Sequence, residues 1–360
     1  MNSKLSFTFI LASLLLAIWL TGRAPDARAE WEHIPGTEVI GSVGLLESDG
    51  LRLYATGDTG FYLSFDGGYT WRHREIGRGI DDFYITAIGS GGGVVYVGTS
   101  DHGVIRSDDG GNTWKHINDG LHIFDHPQWG PHYGKVEQIL VTGSGMVINV
   151  GYHRGTHISN DRGETWRNVL KEWKAPQGPG LVDWAFDDGI WSMTEFDGYL
   201  WALYSDAPAF RSPDEGGTWE LLPTRNYGGI GDFWRIHDWA ALGDKLYIAG
   251  SAGFGRWNEV ELRWDHLSRG LPDKPGMKQL AVNHGSIFAA FFQSERGVWL
   301  FDQPSETWFP AGLQHVRVYS VVSHQSELYA GTDNGIYRAS IPIVHSHGKA
   351  PTTWGVIKQK

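Results

Sequence analysis

The chain contains no cysteine in its 360 residues. That excludes disulfides, thiolate-held metals and a lipid-modified N-terminal cysteine, so packing and hydrogen bonds must hold the fold. Basic runs are also missing. Thirty Lys and Arg against 41 Asp and Glu give a net charge of -11, and an acidic chain without a basic stripe is a poor nucleic-acid binder. Beyond Leu20 no stretch approaches the roughly 18 unbroken apolar residues that a membrane-spanning helix needs. Phosphate loops, dinucleotide fingerprints and a sequence-supported Ser/His/Asp arrangement are absent too, and the sequence implies no cofactor.

The N-terminus has the layout of an export leader. Lys4 precedes an apolar stretch from Phe7 to Leu20, and Ala27-Arg28-Ala29 supplies small residues at cleavage spacing, which predicts cleavage after Ala29. Residues 1–29 are therefore read as a signal peptide, 30–345 as the folded domain, and 346–360 as a tail or closing strand. The mature chain is expected to be secreted or periplasmic, monomeric, and free of membrane insertion once the leader is gone.

Tryptophan is abundant, with 18 residues, and much of it recurs at a near-constant interval. The box SxDxGxTW appears as Ser64 to Trp71, Ser107 to Trp114, Ser159 to Trp166 and Ser212 to Trp219, with tryptophans 43, 52 and 53 residues apart. Later copies decay. Trp264 keeps only the tryptophan, Ser305-Glu306-Thr307-Trp308 and Thr352-Thr353-Trp354 keep the end of the box, and the spacings are 45, 44 and 46. Fixed periodicity of this length marks a repeat architecture.

Ahead of each box lie short alternating runs such as Tyr84 to Ile88, Val94 to Gly98 and Gly103 to Ser107, while the tryptophan begins another. Short β-rich runs separated by Gly and Asp predict an antiparallel meander of four strands. One such sheet cannot cover its own apolar faces, so about seven of them must stack radially. The predicted fold is an all-β, single β-propeller of about seven four-stranded blades. Within the box, Asp66, Asp109, Asp161 and Asp214 are expected to bond nearby backbone amides, and the glycines to supply positive φ. Trp71, Trp114, Trp166 and Trp219 are expected to wedge between blades, each burial giving roughly 4–6 kcal/mol before entropy. Two segments compete to close the ring, Trp31-Glu32-His33-Ile34 and Trp354-Gly355-Val356-Ile357. The first is favoured because it ties down both chain ends.

These boxes resemble the Asp-box, or BNR, repeat of sialidases, xyloglucanase-type glycosidases, sortilin-type receptors and the photosystem II assembly-factor family. In length and blade count the chain looks most like the assembly-factor type. That resemblance implies a seven-bladed propeller and leaves function open, since the same fold hosts enzymes, receptors and assembly factors. Sialidases carry an early Arg-Ile-Pro where this chain has His33-Ile34-Pro35, and imidazole cannot form arginine's bidentate clamp on a carboxylate.

Chemistry is expected on the face opposite the boxes, where links between blades run. Two links are long. One holds His122, Asp125, His126, Trp129, His132 and Tyr133, and the other holds Trp184 and Asp187. A third holds Asp232, Trp234, Arg235 and His237. Aromatics beside Asp, His and Arg suit carbohydrate binding, since rings pack on sugar C–H faces while polar groups fix hydroxyls, so His126, Trp129, His132, Trp184, Trp234, Arg235 and Arg317 are the candidate ligand-binding residues. The histidine spacing matches no strong metal motif, and no metal is assigned. Tyr84, Glu137, His237, Lys278 and Arg317 are expected at the upper ends of channel-lining strands, where ordered water alone would also account for them. Together these features point to a non-catalytic exported binding or assembly protein with a protein or glycan partner. The alternative is a glycoside hydrolase acting on an extracellular polysaccharide, with Asp82, Asp187 and Asp232 as the weak catalytic candidates, since such chemistry needs paired carboxylates about 5–9.5 Å apart.

Overall fold

In a computed structural model the described residues are 29–76, 84–126, 130–143, 145–151, 155–169, 190–204, 209–222, 236–291 and 295–340. They form seven four-stranded antiparallel sheets, and one further two-stranded sheet. Six of the large sheets are meanders, because the turn glycines and aspartates join neighbouring strands in sequence order. The first strands of the seven sheets are Leu45–Ser48, Ile85–Gly91, Val136–Val141, Ile190–Phe196, Ile236–Leu242, Met277–Asn283 and Val318–His324. Each of these touches the next, and the last touches the first. The sheets are thus blades 1 to 7 of a closed β-propeller whose first strands surround a channel. Among the described residues no helix is long and apolar enough to cross a membrane.

Closure comes from the N-terminus. Glu30–His33 pairs with Gly335–Ser340 in the register Glu30↔Ser340 to His33↔Tyr337, supplying the fourth strand of blade 7. Trp31 donates its indole N–H to the Ala311 carbonyl of blade 6 at 3.0 Å. Trp354, the competing segment, lies outside the described residues.

The core is divided among the blade interfaces. Seven apolar clusters correspond to the seven interfaces, and each receives one fourth-strand tryptophan: Trp71, Trp114, Trp166, Trp219, Trp264, Trp308 and Trp31 in blades 1 to 7. Every one of these rings packs toward the preceding blade. Trp308, for example, meets Phe254 edge to face at 4.8 Å and donates to the Leu267 carbonyl at 3.0 Å. A flat sheet face becomes a wedge only if something bulky fills its outer edge, and a tryptophan does so once per repeat.

The four complete boxes fold alike. In each, the serine hydroxyl donates to the aspartate and accepts the glycine N–H, as in Ser107 Oγ to Asp109 Oδ1 at 2.9 Å and Gly111 N to Ser107 Oγ at 2.8 Å. The threonine then closes on both carboxylate oxygens, its N–H at 2.9 Å and its hydroxyl at 2.7 Å in Thr113 and Asp109. The turn needs a left-handed glycine: at Gly216, φ is 83°, and a Cβ would come within 2.3 Å of Ile158. The degraded box of blade 6 keeps one fragment of this scheme, in which Asp302 accepts the Ser305 N–H at 3.1 Å.

Candidate binding site at the channel mouth

Each first strand starts on the link face and runs toward the box face. Near its start, six of the seven carry a register shift that leaves one residue unpaired: Thr86, Glu137, Trp191, His237, Lys278 and Tyr319. A bulge re-aims a side chain and sharpens the local twist. Repeated round the ring, these bulges place the different side chains of Thr86, Glu137, His237, Lys278 and Tyr319 at equivalent positions by the channel mouth. Thr86 donates to the Val136 carbonyl of blade 3 at 2.6 Å. His237 bonds Ser251 at 2.9 Å, and Glu137 lies 3.5 Å from Lys135. Lys278 reaches past blade 7 to donate to the Gly44 carbonyl at 3.0 Å, with its ammonium 5.8 Å from the Tyr319 ring centre. Burial draws the Lys278 pKa down to about 8. A hydrogen bond with Tyr319 raises that of the exposed Arg317 beside it.

In blades 3, 5 and 6 the residue after the bulge ties the blade to the next. Gln138 bridges to Met193 of blade 4, and Asp238 accepts the Leu280 N–H of blade 6 at 2.7 Å. Gln279 accepts the Val321 N–H of blade 7 at 3.2 Å. First strands have one edge facing the channel, and these side chains satisfy part of its open backbone.

Two carboxyl groups in the channel are displaced far from their ordinary range. Burial, with Asp238's charge next, pushes Glu47 up to about 8, while Ser90 donates to it at 3.5 Å. Asp238 is raised to about 7 by burial, although the Leu280 and Trp239 amides both favour its charged form. Both residues are half-buried. Desolvation therefore dominates, as it does wherever a charge cannot reorganise its own water.

Of the ligand residues expected from sequence, Arg317 stands exposed ahead of the first strand of blade 7, next to Tyr319 and Lys278. His132 is half-buried on the second strand of a hairpin, Ile123–His126 paired with Gly130–Tyr133, that stands between blades 2 and 3. Sequence reading treats this link as a loop. Its pairing is secured by tertiary contact, since the Tyr133 N–H donates to Asp101 O of blade 2 at 2.8 Å. His126 falls on the first strand of the hairpin, and its side chain lies outside the described residues. So do Asp82, Trp129, Trp184, Asp187, Asp232, Trp234 and Arg235. Among the described residues no three His, Asp or Glu side chains converge as metal ligands. Sequence reading misses Tyr319, Glu47 and Asp238. The last could have been found as the residue following His237, once the strand register was known.

The fold defines the chain as a seven-bladed β-propeller. No protein-family profile and no curated protein sequence matches it. Similar solved structures include YCF48 bound to a D1 peptide, at 13% identity and a TM-score of 0.56, over 89% of this chain and 97% of that one. PorZ, a bacterial surface component of the type-IX secretion system of Porphyromonas gingivalis, aligns at 12% identity and 0.56 over 90% of this chain and 40% of that one. The GH74 xyloglucanase of Xanthomonas campestris aligns at 15% identity and 0.59, over 89% of this chain and 55% of that one. Identities this low establish shared architecture. Two of these three proteins are much longer than this chain.

Proposed function

We propose that this chain is an exported, non-catalytic binding or assembly protein of the Asp-box type that holds a partner's polypeptide segment across the channel mouth. The observation that carries the reading is the ring of bulges, which presents Thr86, Glu137, His237, Lys278 and Tyr319 at equivalent sites beside exposed Arg317 and Tyr84. A scaffold with one position per blade and a different side chain at each reads an extended segment along its length. The peptide complex of YCF48, a propeller of similar extent, supports a polypeptide ahead of a glycan. His126, Trp129, His132, Trp184, Trp234 and Arg235, which belong to the links by sequence, are proposed as further contacts of the same partner.

The test compares retention of polypeptides from the native compartment, and of an arrayed glycan set, by residues 30–360 and two variants. Lys278→Ala with Arg317→Ala, and separately Trp129→Ala with Trp234→Ala, are expected to weaken retention about tenfold, as loss of central contacts does. Retention unchanged in both variants would reject the link face.

A further inference from the structure

The four complete box turns differ in one external contact. The carbonyl of the residue after the box aspartate meets the preceding blade. Gly67 O accepts the Tyr329 hydroxyl at 2.6 Å, Gly110 O accepts Arg74 Nε at 3.3 Å, and Arg162 O accepts Arg106 Nη1 at 3.0 Å. The fourth such carbonyl, on Glu215, receives no donor among the described residues.

The reason lies in the third strands. Arg106 stands three residues after Gly103 and also binds Glu164 at 2.9 Å and Asp108 at 2.8 Å. Arg211, Arg256 and Arg338 hold the matching place in blades 4, 5 and 7, reaching Glu259, Glu306 and Tyr69 of the following blade. In blade 3 the residue three after Gly155 is Ile158, and Asn160 takes the place of Asp108. Blades 1 and 6 carry Leu63 and Leu300 at this place, but at the blade 1–2 interface Arg74 supplies the donor instead. Beside Ile158 no such substitute is present among the described residues, and the volume that a guanidinium fills in blades 2, 4, 5 and 7 stays open. A cleft of about 250 Å³ results between blades 3 and 4, on the box face, lined by Ile158, Asn160, Glu195, Tyr199, Pro213 and Glu215. Among the described residues no Lys or Arg pairs with Glu195 or Glu215. Among the described residues the buried Trp219 indole N–H at this interface has no acceptor, as is also true of Trp264, whereas Trp166 donates to the Ile117 carbonyl.

We propose that this cleft is a second binding site, opposite the channel mouth, and that it takes the arginine side chain of a partner polypeptide. A guanidinium supplies planar donors for the Glu215 carbonyl and the two carboxylates, and its stem packs on Ile158 and Tyr199. The cleft is smaller than the roughly 300–1,000 Å³ of small-molecule pockets and is sized for one side chain.

The experiment titrates residues 30–360 with acetyl-Gly-Arg-Gly-amide, followed by NMR, against the same peptide carrying Gln or Lys. The arginine peptide is expected to bind at least about tenfold more tightly than either. Ile158→Arg, which gives the chain its own guanidinium, is expected to abolish that binding. Glu195→Gln with Glu215→Gln, both exposed positions that leave the core intact, is expected to weaken it about tenfold. No binding of the arginine peptide up to about 10 mM, equal binding of the three peptides, or undiminished binding in the Glu195/Glu215 variant would overturn the assignment.

Discussion

Gln138 and Met193 close a reciprocal pair across the boundary of blades 3 and 4: the amide N–H₂ of Gln138 donates to Met193 O, and Met193 N–H donates to Gln138 Oε1, both at 2.9 Å. Asn149 adds a third bond, to Gln138 Oε1, at 3.1 Å. One side chain thus does what a further strand would do. Gln138→Leu is expected to cost about 2–3 kcal/mol, because the Met193 amide and carbonyl are left without partners. Gln279→Leu, which loses the single bond to Val321, is expected to cost about 1 kcal/mol. Urea denaturation of the two variants measures both, and equal losses would contradict the reciprocal pair.

The channel carboxyls make stability fall as pH rises. Glu47 and Asp238 have folded pKa values near 8 and near 7, above their unfolded values. The folded chain therefore binds more protons between about pH 4 and pH 8. Their contribution is complete below the unfolded pKa and is lost as pH climbs through the folded one. The melting temperature is expected to drop between pH 5 and pH 8.5, and to drop less in Glu47→Gln. A Glu47→Gln profile parallel to that of the parent would show that Glu47 is ionised in the folded state.

The box aspartates act at the other end of the scale. Hydrogen bonds from Thr113 and Thr165 hold Asp109 and Asp161 down at about 2. A lowered folded pKa contributes stability that is present above the unfolded value and lost as pH falls from about 4 toward 2. Asp109→Ala is expected to lower stability by about 1–2 kcal/mol at pH 7 and by less at pH 2.5. Asp302→Ala, in the degraded turn, is expected to cost less than Asp109→Ala at neutral pH. Parallel chemical denaturation at the two pH values checks both statements.

Ring closure predicts a difference between the two chain ends. Deleting residues 30–35 removes the Trp31 wedge, buried Ile34 and the Glu32 partner of Arg338. The melting temperature should fall by roughly 10 °C or more, given about 2–4 °C per kcal/mol for a chain of this size. Deleting residues 346–360 should leave it unchanged. Calorimetry on the two truncations gives the comparison, and the opposite ranking would assign closure to the C-terminus.

Much of the ring is legible in the sequence because tryptophan and glycine have few other uses at a fixed spacing. Even the degraded copies place Trp264 and Trp308 correctly, since the wedge survives where the turn chemistry of Asp302 has nearly gone. The bulges are not legible. Whether Lys278 pairs or protrudes depends on the register between two strands, which no local pattern encodes. The hairpin at 123–133 is hidden for a related reason: its pairing rests on a contact with Asp101 in another blade. The difference between Arg106 and Ile158 is plain in the sequence, yet its meaning appears only when the next blade's carbonyl is seen beside it. The link residues Trp129, Trp184 and Trp234 remain candidates on composition alone.

The central claim is that partners engage the channel mouth. Site-specific photo-cross-linking in the native compartment tests it most directly, with a benzophenone side chain placed at Tyr84 or Tyr319 on the mouth, and at Leu51 or Val260 on the box face. The account predicts polypeptide adducts from Tyr84 and Tyr319, whereas adducts from Leu51 and Val260 report only on the second, box-face site. Adducts from Leu51 and Val260 alone would contradict it.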